Sequence, residues 1–419
     1  MLTGAGSPAQ RAYGFDGIVA VALAQGVIYA PAVWLVWRNT GSRGAAAVII
    51  GFAIAMRVVV LLAPPNLSTD IYRYVWDGRV LAAGINPYKY IPDDAHLAPL
   101  RDGAIFPKIN RHGYARTIYP PAAETIFFLV TRLSESLAAM KLAMVGFEAV
   151  AVALMLRLLA RAGRPSSWIA VYVWHPLPLW EFAGSGHIDA AMIAFVTLAL
   201  WSRRRWLTGL ALAAATLVKF YPAVLLPAMW RRWDWRMLAL YGAAIMLAYL
   251  PFAGAGALVI GFLPGYIGEE GFAGGAGFYW WNLAKSVLPV GVSNIPYITA
   301  AACLLAALAG RTAFQRRGPD ADIGGAALLA GAFTVLLTPH YSWYFSWLVV
   351  FACLVASPAL AWLTATSFVL YLLPVWPQVN GNRERLIVES VLYVPFLILA
   401  AVELRWCCRE ASNDEHAAR

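Results

Sequence analysis

Long apolar runs, many of them about as long as a membrane crossing, alternate in this chain with short clusters of arginine. No other feature of the sequence restricts its fold as much. About 20 apolar residues in a helix span a hydrocarbon core of about 30 Å, and the run must be helical because hydrocarbon offers the backbone no other hydrogen-bond partner. Composition agrees: of 419 residues 61% are apolar and 13% charged, against about 25% charged in a soluble domain. Disordered, nucleic-acid-binding and disulfide-scaffolded classes need charge or cysteine that this chain lacks. No nucleic acid is expected as a partner, and four cysteines imply no disulfide framework.

The basic clusters are Arg38 and Arg43; Arg157, Arg161 and Arg164; Arg203, Arg204 and Arg205; Arg231, Arg232 and Arg236; Arg311, Arg316 and Arg317; and Arg405 with Arg409. The positive-inside rule puts them all on the cytoplasmic side, which accounts for most of the net charge of +10. The longer interruptions carry acidic residues, Asp70, Asp77, Asp93, Asp94 and Asp102 within 64–137 and Glu269 and Glu270 within 257–294, and are expected outside. Apolar runs predict helices near 15–37, 44–63, 138–160, 166–183, 187–202, 236–254, 295–310, 322–339, 343–358, 360–377 and 385–405. The first is expected to remain as a span rather than be cleaved. Residues 206–230 have a basic cluster at each end, so parity predicts a pair of short helices, 206–217 and 220–230, turning at Lys219-Phe220-Tyr221-Pro222. The short apolar stretch 122–134 is expected to lie at the outer interface. The expected fold is all-α: one integral membrane domain over 1–419 with about thirteen crossings, a large extracytoplasmic loop at 64–137 and a cytoplasmic C-terminus.

Chemistry concentrates where chain meets the outer face. Asp70, Arg73, Tyr74 and Asp77 are spaced to share one face of a helix. A carboxylate at the mouth of a bundle, beside an arginine and aromatic rings, suits proton abstraction from a hydroxyl, and Asp70 is the candidate base. The alternative is an interfacial helix with a solvated Asp70–Arg73 pair of little energetic value. Asn86 and Tyr88 follow in Gly84-Ile85-Asn86-Pro87-Tyr88; Tyr119 lies in Tyr119-Pro120-Pro121; His187 and Asp189 in Gly184-Ser185-Gly186-His187-Ile188-Asp189; His340 and Tyr344 in Thr338-Pro339-His340-Tyr341-Ser342-Trp343-Tyr344. Asp189 also reads as a helix N-terminal carboxylate, and Trp343 and Tyr344 as an interfacial belt. Lys219, midway along a 25-residue apolar segment, is too far from either end to snorkel and marks a functional site by default. Arg57 reads equally as snorkelling from its span or as a phosphate-holding cation.

In their order along the chain, about 44–345, these motifs resemble the GT-C superfamily of integral membrane glycosyltransferases, and within it the bacterial polyprenyl-phosphate-mannose-dependent mannosyltransferases. The resemblance implies inverting transfer of a hexose, by that likeness mannose, from a polyprenyl-phosphate sugar to a lipid or glycan acceptor at the outer face of the inner membrane. It puts Asp70 at the position of the catalytic base, with His340 facing the same cavity. Lys219 and Arg73, with Arg57, become the cations for the donor phosphate. Asp77, Asn86, Tyr88, Tyr119, His187, Asp189, Tyr221 and Tyr344 become the sugar and acceptor pocket. No cofactor is called for; Asp77 lies seven residues after Asp70, which gives a divalent metal no support from the sequence and leaves metal dependence open. The rival class is a transporter or lipid flippase without transferase activity, for which many spans and a buried lysine also serve. The one-sided loop at 64–137 favours the enzyme.

Overall fold

The computed structural model describes residues 16–38, 44–231, 233–287, 292–314, 321–373 and 382–417, the last twelve of these by backbone only. Arg43, Arg232, Arg316, Arg317 and the end of the expected span 360–377 lie outside the described residues, and the side chain of Arg409 is likewise not described. Every regular element among the described residues is helical. Five helices are long and apolar enough to cross a membrane: Val19–Arg38, Leu137–Arg161, Trp235–Glu269, Ile295–Phe314 and Arg383–Arg405. Helix Ile295–Phe314 buries only Thr312 against the rest of the chain. Its apolar surface needs hydrocarbon around it, and the chain is a membrane protein.

The interior is built differently. Asp189–Trp201 has 13 residues, nearly all buried by protein, and at 1.5 Å per residue it is about 20 Å long. The expected span 166–183 is four short pieces: Ser166–Ile169, Ala170–Val173, Pro176–Pro178 and a π-helical turn, Leu179–Gly184. Two prolines explain the break. Each removes a backbone donor, and the residue before a proline is driven out of the helical region; His175 duly sits at φ −64°, ψ 130°, its Nδ1 accepting from Leu177 N. Irregular backbone at membrane depth is tolerated where protein surrounds it, and this segment is almost entirely buried. The expected helix 236–254 ends earlier, Trp235–Tyr249 giving way at Pro251 to a 3-10 stretch, Leu250–Ile260, and a short helix Leu263–Glu269.

Helix Ala45–Leu61 buries Ile49, Ala53, Arg57 and Val60, one helical stripe with a guanidinium in it. Burying a lone charge is prohibitive, and Glu148 on Leu137–Arg161 answers it: Nε donates to Oε2 at 2.8 Å and Nη2 to Oε1 at 2.6 Å, while Nη1 reaches the Val173 carbonyl at 2.9 Å. Arg57 is therefore buried and paired rather than snorkelling. Lys141 on the same long helix donates to the carbonyls of Val60, Leu61 and Ala63, which closes the end of Ala45–Leu61.

The segment 64–137 folds around two helices, Asp70–Ala82 and Pro121–Leu133. They touch backbone to backbone at Gly78, where a Cβ would lie 2.5 Å from the Phe127 carbonyl oxygen and 2.6 Å from Thr131 Oγ1. Arg79 ties the intervening chain down through Asp102 at 2.7 Å and Glu135 at 2.9 Å. The later segment 250–270 lies over this unit. Asn86 Nδ2 donates to the Phe252 carbonyl at 3.1 Å, Tyr88 packs edge-on against Phe252, and Phe262 N donates to the Thr117 carbonyl at 3.1 Å. Gly261, at φ 61°, makes that last contact feasible, since any Cβ would overlap the Thr117 carbonyl.

Breaking the buried Arg57–Glu148 pair from one side leaves an uncompensated charge, so Arg57→Met or Glu148→Leu alone is expected to cost about 3–5 kcal/mol, and the two together much less. Thermal unfolding in detergent checks this; a double variant as unstable as the sum of the singles contradicts the pairing.

Candidate functional site

Asp70 is the first residue of its helix, where the helix dipole favours an acid, and its carboxylate is half-buried. Oδ1 accepts from Asn110 Nδ2 at 2.7 Å; Oδ2 lies 3.4 Å from the Tyr119 hydroxyl, a long contact. Tyr119 stands edge-on to Tyr74 and Phe127, and those two rings stack at 4.5 Å. Tyr88 donates to the Tyr119 carbonyl at 2.6 Å, and Asn86 accepts from Tyr88 N. Asn86 and Tyr88 thus support Tyr119.

Arg73 and Asp77 share the Asp70 face as their spacing predicts, but one and two turns deeper, and depth changes their role. Both are buried, with Arg73 Nε 2.8 Å from Asp77 Oδ1 and Nη1 donating to the Ala115 carbonyl at 3.1 Å. The expected phosphate contact of Arg73 does not fit this commitment. Glu124 joins the cluster and accepts from Thr117 Oγ1. Burial, and after it the charge of Asp77, pushes the Glu124 carboxyl well above its ordinary range; burial also raises Asp77, with Arg73 opposing. One guanidinium serves two carboxyls, so the pair retains a proton.

Lys219 approaches from the bundle. Helix Arg205–Val218 ends at Lys219 in extended conformation, followed by the 3-10 turn Tyr221–Leu225. Lys219 Nζ is 3.2 Å from Asp189 Oδ2 and 5.0 Å from the centre of the Tyr344 ring, and the Tyr221 hydroxyl donates to Asp189 Oδ1 at 2.8 Å. His187 stacks on Trp343 at 4.5 Å, with Nε2 3.4 Å from Glu181 Oε2. Glu181, on the π-turn, accepts from the Tyr371 hydroxyl at 2.8 Å. Asp70 lies within electrostatic reach of Lys219 and His187.

The third wall is the helix Leu263–Glu269 with the residue after it. The Tyr266 and Tyr344 hydroxyls are 2.9 Å apart, and Arg111 Nε donates to Glu269 Oε2 at 2.6 Å. His340 Nδ1 is 2.8 Å from Glu270 Oε2 and Nε2 is 3.0 Å from the Gly277 carbonyl oxygen. Both ring nitrogens are engaged with this wall. The structure brings together Asp70, Tyr119, His187, Asp189, Lys219, Tyr221 and Tyr344, while Arg57, Arg73, Asp77, Asn86, Tyr88 and His340 are each hydrogen-bonded to other protein groups.

Asn110, Arg111, Glu181 and Tyr266 were not singled out from the sequence. One signal was available: from Gly103 to Ala123 the loop carries Lys108, Arg111 and Arg116 and no acid. Among the described residues no group of three His, Cys, Asp or Glu is placed to hold a metal ion.

Apolar helices around a carboxylate, a lysine and a set of aromatic rings define a membrane protein with a polar cluster inside it. Residues 6–234 match the family described as alpha-(1->6)-mannopyranosyltransferase, N-terminal domain, and the chain belongs to that family. It is a mannosyltransferase of the GT-C kind. No curated protein and no solved structure matches it. The matched stretch includes Asp70, Asn110, Arg111, Tyr119, His187, Asp189 and Lys219; the third wall lies beyond it.

A carboxyl raised on folding contributes stability that is complete below its ordinary range and is lost as pH rises through the raised value. The Glu124 contribution to the unfolding temperature is therefore expected to shrink as pH rises above the ordinary glutamate range, and Glu124→Gln, which still accepts from Thr117, is expected to show a smaller fall in unfolding temperature than wild type over the same rise. Equal slopes for the two proteins would contradict the shared proton.

Proposed function

We propose that the chain transfers mannose from a polyprenyl-phosphate donor to an acceptor hydroxyl, with inversion, on the extracytoplasmic side of a bacterial inner membrane. The observation that carries this reading is the half-buried Asp70 carboxylate, steadied by Asn110 and within electrostatic reach of the Lys219 ammonium. In the transfer the acceptor oxygen bonds to the sugar C1 and its proton passes to Asp70. The C1–O bond to phosphate breaks, and its electron pair leaves with the polyprenyl phosphate. Inversion requires base and leaving group on opposite faces of the sugar, with a cation where the phosphate charge develops. Lys219 suits that place: an ammonium has three donors, and Asp189 takes one. Tyr119, Tyr221, Tyr344 and the His187–Trp343 stack supply ring faces and hydroxyls for a sugar.

About thirteen crossings, the 206–230 pair as a short hairpin and Pro121–Leu133 on the outer interface belong to the same proposal. Leu129 and Leu133 on that helix are exposed, in keeping with an interfacial position. The arginine clusters support a cytoplasmic C-terminus. A transporter without transferase activity draws no support from the family.

With purified protein, polyprenyl-phosphate-mannose and a membrane extract as acceptor, Asp70→Asn is expected to lower transfer by about 10²–10⁴-fold with its unfolding temperature unchanged. Full transfer by that variant would falsify the base assignment. For sidedness, in a background lacking the native cysteines, Asp93→Cys should react with an impermeant thiol reagent on intact cells and Arg204→Cys should not. Both positions are exposed on the protein, and the reverse labelling pattern overturns the orientation.

A further inference from the structure

Arg111 follows Asn110, the residue that holds Asp70, and it sits at φ 57°, a left-handed conformation rarely adopted by a residue with a side chain. Its carbonyl accepts from Tyr114 N and Ala115 N, which closes a tight turn. The turn sends two successive side chains to different tasks, Asn110 to the carboxylate and Arg111 to the rim. Such strain persists where the surroundings enforce it, most often at sites of function. Asp70 and Arg111 are within electrostatic reach of each other. Arg111 Nε donates to Glu269, the Tyr114 side chain lies against both members of the pair, and the guanidinium lies 5.7 Å from the Tyr266 ring centre. The pair is also accessible, with side-chain exposures of 24% and 31%. Partly exposed pairs are weak and exchangeable.

Glu269 belongs to an unusual element. Helix Leu263–Glu269 and the residue after it send three tethers to three separate parts of the site: Tyr266 to Tyr344, Glu269 to Arg111 and Glu270 to His340. Glycines at positive φ flank it, Gly261 on one side and Gly271 and Gly275 on the other. A carboxylate and a phosphate make the same fork geometry with a guanidinium.

We propose that Arg111 is a second cation for the donor's phosphate, receiving it at the rim before Lys219 meets the charge that develops in transfer, and that Glu269 occupies Arg111 in the empty site as an intramolecular stand-in. Donor phosphate displaces the Glu269 carboxylate and frees the short helix from one of its three tethers, so that binding and opening are coupled. This rests on the transfer reading above and adds to it a specific competitor for the donor.

Opposite signs distinguish the latch from a simple strap. Arg111→Gln is expected to raise the donor KM about tenfold or more through loss of a charge-assisted contact, whereas Glu269→Gln lowers it by removing the competitor. Quenching of tryptophan fluorescence by a polyprenyl phosphate alone, read without turnover, should show the same pair of opposite shifts. The exchanged variant Arg111→Glu with Glu269→Arg restores the ion pair but not the cation at position 111, so its donor KM should stay high, and a normal KM there points to a strap. If wild type transfers mannose while both single variants move the donor KM in one direction, the latch is overturned and the transfer reading stands. If wild type neither binds the polyprenyl phosphate nor transfers from its mannosyl ester, both are overturned.

Discussion

The structure depends first on burial of the Arg73 guanidinium between the two loop helices. An arginine taken out of water must be paired, and Asp77 one turn on is the nearest carboxylate, joined by Glu124 from the opposing helix. Gly78 lets the backbones meet beside this cluster. With the deep end of Asp70–Ala82 clamped, its first residue is left at the open end, and Asp70 acquires both a fixed position and access. The aromatic block of Tyr74, Tyr119 and Phe127 stiffens the same junction.

Charges elsewhere follow the same requirement, and the pairs connect distant parts of the chain. Arg57 with Glu148 joins two helices of the bundle, Lys219 with Asp189 joins the broken hairpin to the start of a short inner helix, and His340 with Glu270 joins a late turn to the second long segment. Each of Arg57, Lys219 and His340 looks like a ligand-binding residue when read alone, because a polar side chain in or beside an apolar segment has to be explained. Once a partner from far along the chain is in place, only Lys219 among these keeps donors to spare at the candidate centre.

The helical, membrane-embedded character was legible because it rests on local properties, the length and hydropathy of each run. Helix Leu137–Arg161 matches its expected range of 138–160 within a residue or so at either end. Continuity was less legible. At 166–184 two prolines and a π-turn break the helix, and the apolar run gave no warning because protein, not lipid, surrounds that segment. At the candidate site, Asp70, Tyr119, Lys219 and Asp189 could be found from local oddities of charge in apolar surroundings. Asn110 and Glu181 could not, since an asparagine in a polar loop and a glutamate near a span end are unremarkable until their partners are known.

The sequence by itself determined the class of fold and where its charged interruptions fall, since an apolar run of sufficient length has one stable form in lipid. It also carried the family, because residues 6–234 hold enough of the pattern to be matched. Only the tertiary structure decided which charges answer one another. Pairing of Arg57 with Glu148 and of Arg111 with Glu269 depends on distances across the fold, between residues 91 and 158 apart in the chain. A one-dimensional pattern gives the cost of burying a charge but not the identity of the group that offsets it.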